Sequence, residues 1–305
     1  MTNVTLRQLR YFDALAREQH FGRAADACAV TQPALSMQIQ ELEATLGIAL
    51  VERTRTGIKL TPKGEQIAER AQRLLSDVRD LVDFAKQSTG VLAGTLRFGV
   101  IPSVAPYMLP PLLPLLRDKY PELELHVRET QTHHLIEELL EGKLDVLLLA
   151  MPVKHQDIET MPLFEDRFLL ALPKSRKLSG HVRATKEMVE EDNLLLLEEG
   201  HCLRDQALTY CNLQKAEAVN TFGASSLSTI VEMVAADFGI TLLPEICIGV
   251  ETRGRDIKTI RFLEPEPSRT LGLAWRKSSP RGADFKALST EVLKAGRDRI
   301  KSANH

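Results

Sequence analysis

One long stretch without a glycine divides this chain. No glycine follows Gly64 until Gly90, so the sequence predicts a single helix from Pro62 to about Ser88. Its apolar residues recur at spacings of 4-3-4-3-4, at Ile67, Ala71, Leu74, Val78, Leu81 and Ala85. Such an a/d seam is too narrow for a globular core helix and is typical of a coiled coil, so we expect it to dimerise. The segment from Thr89 to Gly94 then breaks the helix and marks a domain boundary.

Length and charge bound the domain organisation on either side of this helix. The 305 residues are enough for two domains, and 44% hydrophobic with 26% charged residues is an ordinary globular composition. A net charge of −2 argues against a uniformly basic surface that coats nucleic acid. It still allows a small DNA-binding domain joined to a more acidic one.

The sequence carries no signal for a membrane, a metal or a cofactor. It lacks the apolar run of about 18 residues that spans a bilayer, and its start lacks a secretory apolar region, so we expect a cytoplasmic protein. Cys28, Cys202, Cys211 and Cys247 are scattered, which suits neither a disulfide framework nor a zinc site. We therefore expect no bound metal and no cofactor.

The first sixty residues predict a helix-turn-helix. Helical periodicity covers residues 6–18 and 21–27, and a third helix follows Thr31, a suitable N-cap, with Pro33 in its first turn. The second helix of such a pair can enter the major groove of DNA. One face of this helix carries side chains that can read base edges: Gln32, Ser36, Gln38 and Gln40. The other face carries a buried stripe: Leu35, Ile39, Leu42 and Leu46.

Residues 52–61 read as a β-hairpin wing. Arg53, Arg55 and Lys59 give it positive charge that could meet phosphates, which position a protein without specifying sequence. Pattern alone leaves an alternative open, namely a small helical bundle with a solvated polar face.

The remaining two hundred residues predict an α/β domain. Strands at residues 95–101, 123–127 and 145–150 alternate with helices at 105–120 and 132–141, which is a βαβαβ unit. Less regular strands follow at 168–172, 194–197, 219–222, 240–244 and 270–276, with helices at 227–238 and 284–300. Chain crossings at about residues 165 and 268 would give two Rossmann-like subdomains with a cleft at the carboxyl ends of their strands.

Cys202 is the strongest candidate for chemistry. It lies between His201 and Arg204, and a helix beginning after Gly200 would add the positive end of its dipole, so thiolate is favoured over thiol. Nine residues of helix separate Cys202 from Cys211 by about 13 Å, and nine of strand by about 30 Å, whereas a disulfide tolerates about 7 Å. Oxidation could therefore drive a local refolding. The alternative is that both are ordinary buried thiols.

The amino-terminal pattern resembles the LysR-type transcriptional regulators. The resemblance rests on Thr31-Gln32-Pro33-Ala34-Leu35-Ser36, on Leu50-Val51-Glu52-Arg53-Thr54 and on Leu60-Thr61-Pro62-Lys63-Gly64. It implies a winged helix-turn-helix domain at 1–61, a linker helix at 62–89 and a regulatory domain at 92–305. That domain would be similar to periplasmic binding proteins, with subdomain I at about 92–165 and 269–305 and subdomain II at about 166–268. The implied DNA-binding residues are Arg7, Gln32, Pro33, Leu35, Ser36, Gln38 and Arg53.

A second resemblance concerns the OxyR peroxide sensors of this family. Residues 200–206 followed by Cys211 are similar to the redox segment of those sensors, as are 101–103 and 131–133. The resemblance implies that Cys202 is the peroxidatic cysteine and Cys211 the resolving one. Further residues would line or support a peroxide pocket: Ser103, Thr132, His201, Arg204, Asp205 and Arg269. Ser103 stands where these sensors commonly have threonine, which keeps the hydroxyl and loses a methyl group.

The implied function is regulation rather than catalysis. The effector would be hydrogen peroxide and the targets antioxidant genes, with promoter DNA, RNA polymerase and further copies of the chain, as a dimer or tetramer, for partners. Activation and repression both remain open. Two alternatives are a LysR-type regulator that binds a small metabolite in the cleft and, against the helix-turn-helix, a thiol peroxidase. The sequence has no dinucleotide, P-loop or nucleophile-elbow motif.

Overall fold

The structure is a computed structural model that describes residues 3–54, 57–86, 90–177, 182–210 and 224–303. The chain divides into two compact units. One comprises Met1–Lys86 with Leu140–Gly142, and the other comprises Gln87–Leu139 with Lys143–His305. None of the helices in the described ranges is long and apolar enough to cross a membrane.

The amino-terminal unit contains the predicted helix-turn-helix and wing. Its elements are α1 (Leu6–Glu18), α2 (Phe21–Ala27), α3 (Gln32–Leu46), β1 (Val51–Thr54), β2 (Gly57–Leu60) and α4 (Pro62–Lys86). Thr5 and Gln8 form a reciprocal capping box at the start of α1. Thr31 occupies the N-cap position of α3 as predicted, although its side chain makes no capping hydrogen bond. Antiparallel β1 and β2 form the wing.

Helix α4 uses its apolar stripe in two ways. Ala71 is buried with Leu75 against Leu9 of α1, and Ile67 packs on the core of the unit. Further along the helix, the side chains of Leu74 and Leu81 are 51% and 66% exposed. Ile67 and Ala71 of the predicted seam are therefore covered within the chain, whereas Leu74 and Leu81 form an outward part of the stripe in the single chain.

The second unit is built on a seven-stranded mixed sheet. Its strands are β3 (Gly94–Val100), β4 (Leu123–Glu129), β5 (Val146–Ala150), β6 (Ile158–Pro173), β7 (Thr241–Pro244), β8 (Ile257–Arg261) and β9 (Ser268–Arg276). Its helices are α5 (Ala105–Lys119), α6 (Thr132–Leu140), α7 (Lys186–Glu190), α8 (Cys202–Tyr210), α9 (Leu227–Ala235), α10 (Glu245–Glu251) and α11 (Gly282–Ala303). The fold is the α/β class that the sequence predicts.

The sheet order explains how one chain forms two sheet regions. β3 pairs in parallel with β4 and β5, as the βαβαβ pattern predicts. β9 returns antiparallel to β5, and β6 pairs with β9 through its first half. The second half of β6 pairs instead with β7 and β8. β6 is therefore a continuous strand that runs from one sheet region into the other.

Several predicted element bounds are wrong in this unit. The strand predicted at 168–172 begins ten residues earlier, at Ile158. Pro162 cannot donate a hydrogen bond to the neighbouring strand, and the pairing with β9 continues past it through a register shift between Pro162 and Phe164. The strand predicted at 194–197 is reduced to isolated bridges from Leu194 and Leu197. Helices α7 and α10 and strand β8 were not predicted. The strand predicted at 219–222 lies outside the described residues.

Candidate redox and DNA-reading sites

Cys202 is the first residue of α8, and a tight turn places it there. Gly200 has a φ of +90°, and a Cβ built on it would lie 2.5 Å from Oε1 of Gln131. This left-handed backbone conformation favours glycine over any residue with a side chain. The turn thus holds the segment before α8 against Gln131 and presents the partly buried Cys202 at the helix amino terminus.

The two basic residues beside Cys202, His201 and Arg204, make their contacts with other groups. Arg204 is buried, and its Nη1 donates to the carbonyl oxygen of Leu197 at 3.1 Å. His201 is also buried, with Nε2 3.8 Å from Oε1 of Glu198. Both residues hold the segment in place, and the Arg204 charge is directed at a backbone dipole inside the fold. Asp205 was predicted with the pocket, but its side chain is exposed in the first turn of α8, where it complements the dipole.

A buried ionic cluster lies at the carboxyl edge of the sheet. Nη1 of Arg269 donates to Oγ of Ser103 at 2.8 Å, and its Nη2 donates to the Ser103 carbonyl oxygen at 3.1 Å. Nε of Arg269 donates to Oδ2 of Asp166 at 2.9 Å. Ser103 and Arg269 are each 3% exposed and Asp166 is fully buried. The structure therefore joins two predicted residues, Ser103 and Arg269, by direct hydrogen bonds. It also adds Asp166, which was not predicted, to the cluster.

The same edge carries Thr132. Because β3 and β4 are parallel neighbours, residues 101–103 and 131–132 leave the sheet on one side. β9 pairs Leu271 with Ala150, the last residue of β5, so Arg269 extends beyond that carboxyl end too. Contact between Gly200 and Gln131 brings the start of α8 to Thr132. The strand ends and the turn before α8 thus gather Ser103, Thr132 and Arg269 on the side of the sheet where Cys202 lies.

Two buried side-chain oxygen atoms, one in α6 and one in α8, have no hydrogen-bond partner among the described residues. They are Oγ1 of Thr132 and Oε1 of Gln206. A small polar molecule at either oxygen would satisfy a group that is otherwise costly to bury. Gln206 was not predicted as a site residue. Its position one turn after Cys202 on α8 is a signal that helical spacing could have supplied.

The other cysteines differ from Cys202 in their surroundings. Cys211, the predicted resolving residue, lies outside the described residues. Cys247 is fully buried in α10, and its Sγ donates to the Pro244 carbonyl oxygen at 2.9 Å. Burial raises the pKa of Cys247 well above its ordinary value, and the negative charges of Asp166 and Glu251 add to the shift. Burial also raises the pKa of Cys28, at the end of α2, against an opposing effect of nearby arginines.

The predicted DNA-reading residues divide between surface and core. Gln32 and Pro33 are exposed at the start of α3, and Ser36 is partly exposed one turn later. Gln38 donates through Nε2 to Oε2 of Glu41 at 2.6 Å. Leu35 was grouped with the DNA-binding residues, but its side chain is fully buried. That assignment is corrected, because Leu35 can only support the helix from within the core.

The two predicted arginine contacts come from other elements. Arg7 is exposed in the first turn of α1. Arg53 lies in β1 opposite Ile58, although its side chain lies outside the part of the chain that is described.

Comparisons with known proteins cover nearly the whole chain. The family model for the bacterial regulatory helix-turn-helix protein, lysR family, matches residues 6–65, and the model for the LysR substrate binding domain matches residues 89–297. A probable hydrogen peroxide-inducible genes activator of Streptomyces viridosporus is 44% identical over 296 residues, which are 96% of this chain and 95% of that protein. The DNA-binding transcriptional dual regulator OxyR of Escherichia coli K12 is 38% identical over 295 residues, or 97% and 96% of the two chains.

Solved structures give the same picture. A variant of full-length OxyR from Pseudomonas aeruginosa superposes with a TM-score of 0.70 at 36% identity, covering 95% of this chain and 97% of that one. A hydrogen peroxide-bound OxyR mutant from Corynebacterium glutamicum superposes with a TM-score of 0.68 at 33% identity, covering 98% and 95%.

Proposed function

The chain belongs to the LysR family of bacterial helix-turn-helix transcription regulators, and we propose that it senses hydrogen peroxide through Cys202 and controls antioxidant genes. The observation that carries the proposal is the position of Cys202 at the amino terminus of α8, directly after the turn in which Gly200 lies against Gln131, the residue before Thr132. Relatives named for induction by hydrogen peroxide, and a peroxide-bound structural neighbour, support the choice of effector.

The first step uses groups of this site. The Cys202 thiolate attacks one oxygen of hydrogen peroxide, an S–O bond forms and the O–O bond breaks. Sulfur is oxidised to sulfenic acid, and the second oxygen leaves as hydroxide, which takes a proton to become water. Hydrogen bonds from Ser103 and Thr132 stabilise that departing oxygen as its charge develops. The buried Oγ1 of Thr132, without a partner among the described residues, suits this role.

The second step is the switch. Cys211 condenses with the sulfenic acid, a disulfide forms and water leaves. Cys202 and Tyr210 are the two ends of one helix, so their Cα atoms are separated by about 12 Å along its axis. Tyr210 and Cys211 are neighbours, whose Cα atoms are about 3.8 Å apart, so the two cysteines are at least about 8 Å apart while α8 is intact. A disulfide tolerates about 7 Å, and its formation must unwind α8.

The output is a change in how the protein holds promoter DNA. Gln32, Ser36 and Gln38 read base edges from α3, and Arg7 and Arg53 contact the backbone or groove. The outward part of the α4 stripe, with Leu74 and Leu81 exposed, pairs two chains. Further association as a tetramer and contact with RNA polymerase complete the proposal.

Footprinting on promoter DNA with and without peroxide tests this function. We expect Cys202→Ser to bind DNA with wild-type affinity and to lose the peroxide-dependent change of footprint. Ser36→Ala is the matched control: it should weaken binding in both redox states while its cysteines still oxidise. If Cys202→Ser responds to peroxide like the wild type, the sensor role is wrong. Steady consumption of peroxide with no change in footprint would support a thiol peroxidase instead.

A further inference from the structure

We infer that Asp166 is a positioning residue for the peroxide reaction, because it holds Arg269 in the orientation that makes the Ser103 hydroxyl a donor to the departing oxygen. The inference rests on the proposed function. No sequence pattern marks Asp166, and it does not belong to the residues that the family resemblance implied. Its assignment comes from the hydrogen bonds of one buried guanidinium.

The guanidinium of Arg269 fixes the polarity of Ser103. A hydroxyl group has one proton to donate and can also accept, whereas a guanidinium only donates. Because Nη1 of Arg269 lies 2.8 Å from Oγ, that oxygen must be the acceptor in their hydrogen bond. The single hydroxyl proton of Ser103 is therefore left to donate in another direction. The bond from Nη2 to the Ser103 carbonyl oxygen adds a second anchor and keeps the two residues in register.

Asp166 fixes the guanidinium in turn. It faces Arg269 directly across the antiparallel pair β6 and β9, and Oδ2 accepts from Nε at 2.9 Å. Its other oxygen, Oδ1, accepts the backbone N–H of Ile246 in the first turn of α10 at 3.1 Å. Each carboxylate oxygen thus has a partner on a regular element, so the carboxylate cannot rotate without losing one of them. Charge-assisted bonds of this kind are short and directional.

Burial makes this arrangement sensitive to a single change. Asp166 is fully buried and Arg269 nearly so. Burial raises the pKa of Asp166, and the charge of Arg269 together with the Ile246 N–H opposes that shift. If the carboxylate were replaced by an amide, Arg269 would lose its counter-ion and one of the three anchors of its orientation. Arg269 would then no longer hold the Ser103 hydroxyl in one orientation. The Ser103 proton could turn away from the departing peroxide oxygen, which would lose its aligned donor.

Two reagents separate this role from a purely structural one. Alkylation by iodoacetamide requires an accessible Cys202 thiolate but releases iodide, which needs no hydroxyl donor. Reaction with hydrogen peroxide requires the same thiolate and also a donor for the leaving oxygen. The ratio of the two rate constants therefore reports on the donor alone. Stopped-flow oxidation and alkylation are measured on the full-length protein with Cys211→Ser, which isolates the first step.

We expect Asp166→Asn to lower the rate constant for peroxide by at least about tenfold, as loss of proton-transfer assistance does. The rate constant for alkylation should stay within about threefold of the parent value, because effects at a site that the alkylation does not use are small. Ser103→Ala should behave in the same way, and the double variant should be no slower than Ser103→Ala. Glu165→Gln, one residue away on the exposed side of β6, is the matched control and should change neither rate.

Three outcomes overturn the inference. These are a parallel fall of both rates in Asp166→Asn, multiplicative losses in the double variant, or an unchanged peroxide rate. If Asp166→Asn does not fold, judged by circular dichroism, Asp166→Glu keeps the charge, displaces the carboxylate by one methylene and is read by the same ratio. A parent protein whose Cys202 reacts with peroxide no faster than the unfolded chain would overturn the proposed function itself, and that result is visible before any Asp166 variant is made.

Discussion

At the scale of single residues, local surroundings decide which thiol can react. Cys202 is partly buried at a helix amino terminus, whereas Cys247 is fully buried and hydrogen-bonded to a backbone carbonyl. Burial is the largest cause of the raised pKa of Cys247, since a thiolate loses its hydration there. A raised thiol pKa means less thiolate at every pH below it. Sequence alone could not separate these cysteines by environment, because burial follows from long-range packing.

This difference predicts a selective labelling pattern. When the reduced native protein is treated with iodoacetamide at about pH 8, below the raised pKa of Cys247, that thiol should stay protonated and unlabelled while Cys202 reacts. Mass spectrometry of tryptic peptides at successive times measures the extent of labelling of Cys202 and of Cys247. The same treatment in denaturant is the control and should label Cys247 as well. Labelling of native Cys247 at the rate of Cys202 would contradict the environment described.

Some residues of the candidate site were predicted from the sequence, and others became visible only in the structure. Ser103, Thr132 and Arg269 were predicted from resemblance, and the structure places them at one sheet edge. Asp166 was missed because the first half of β6 contains Pro162 and charged residues, so no strand pattern marked it. Helical periodicity placed Leu35 in the core and the family resemblance placed it among the DNA-binding residues, and its complete burial supports the core position.

At the scale of elements, α4 shows the limit of a periodicity argument. The 4-3-4-3-4 spacing correctly predicts a long amphipathic helix, because that pattern places apolar residues on one side. The spacing does not say what covers that side. In the structure α1 covers Ala71, whereas Leu74 and Leu81 stay exposed within a single chain. Only the outward part of the stripe is therefore available to a second chain.

We expect Leu81→Glu to weaken self-association. A charge within an apolar seam must be desolvated on pairing, which we expect to cost about 2 kcal/mol, or roughly 30-fold in dissociation constant. Sedimentation velocity over a concentration series measures the shift. Arg70→Gln, at an exposed position of the same helix, is the control and should leave the association unchanged. An unaltered association constant in Leu81→Glu would place the interface elsewhere.

At the scale of the whole molecule, the order of elements along the chain was predictable, and the pairing of distant strands in the sheet was not. Apolar strands alternating with helices predicted the parallel β4-β3-β5 part, because each crossover is local in sequence. The return of β9 between β5 and β6 joins segments more than a hundred residues apart, and no local pattern encodes that pairing. This non-local pairing places Asp166 opposite Arg269 and so completes the buried cluster beside Ser103.

In the proposed function, oxidation joins Cys202 to Cys211 and so unwinds α8. The disulfide can be identified by non-reducing peptide mapping of the wild-type protein after treatment with one equivalent of hydrogen peroxide. We expect a single new cross-linked peptide pair containing Cys202 and Cys211, with Cys28 and Cys247 recovered as free thiols. A disulfide that joins Cys202 to Cys28 or Cys247, or Cys202 recovered unoxidised, would contradict it.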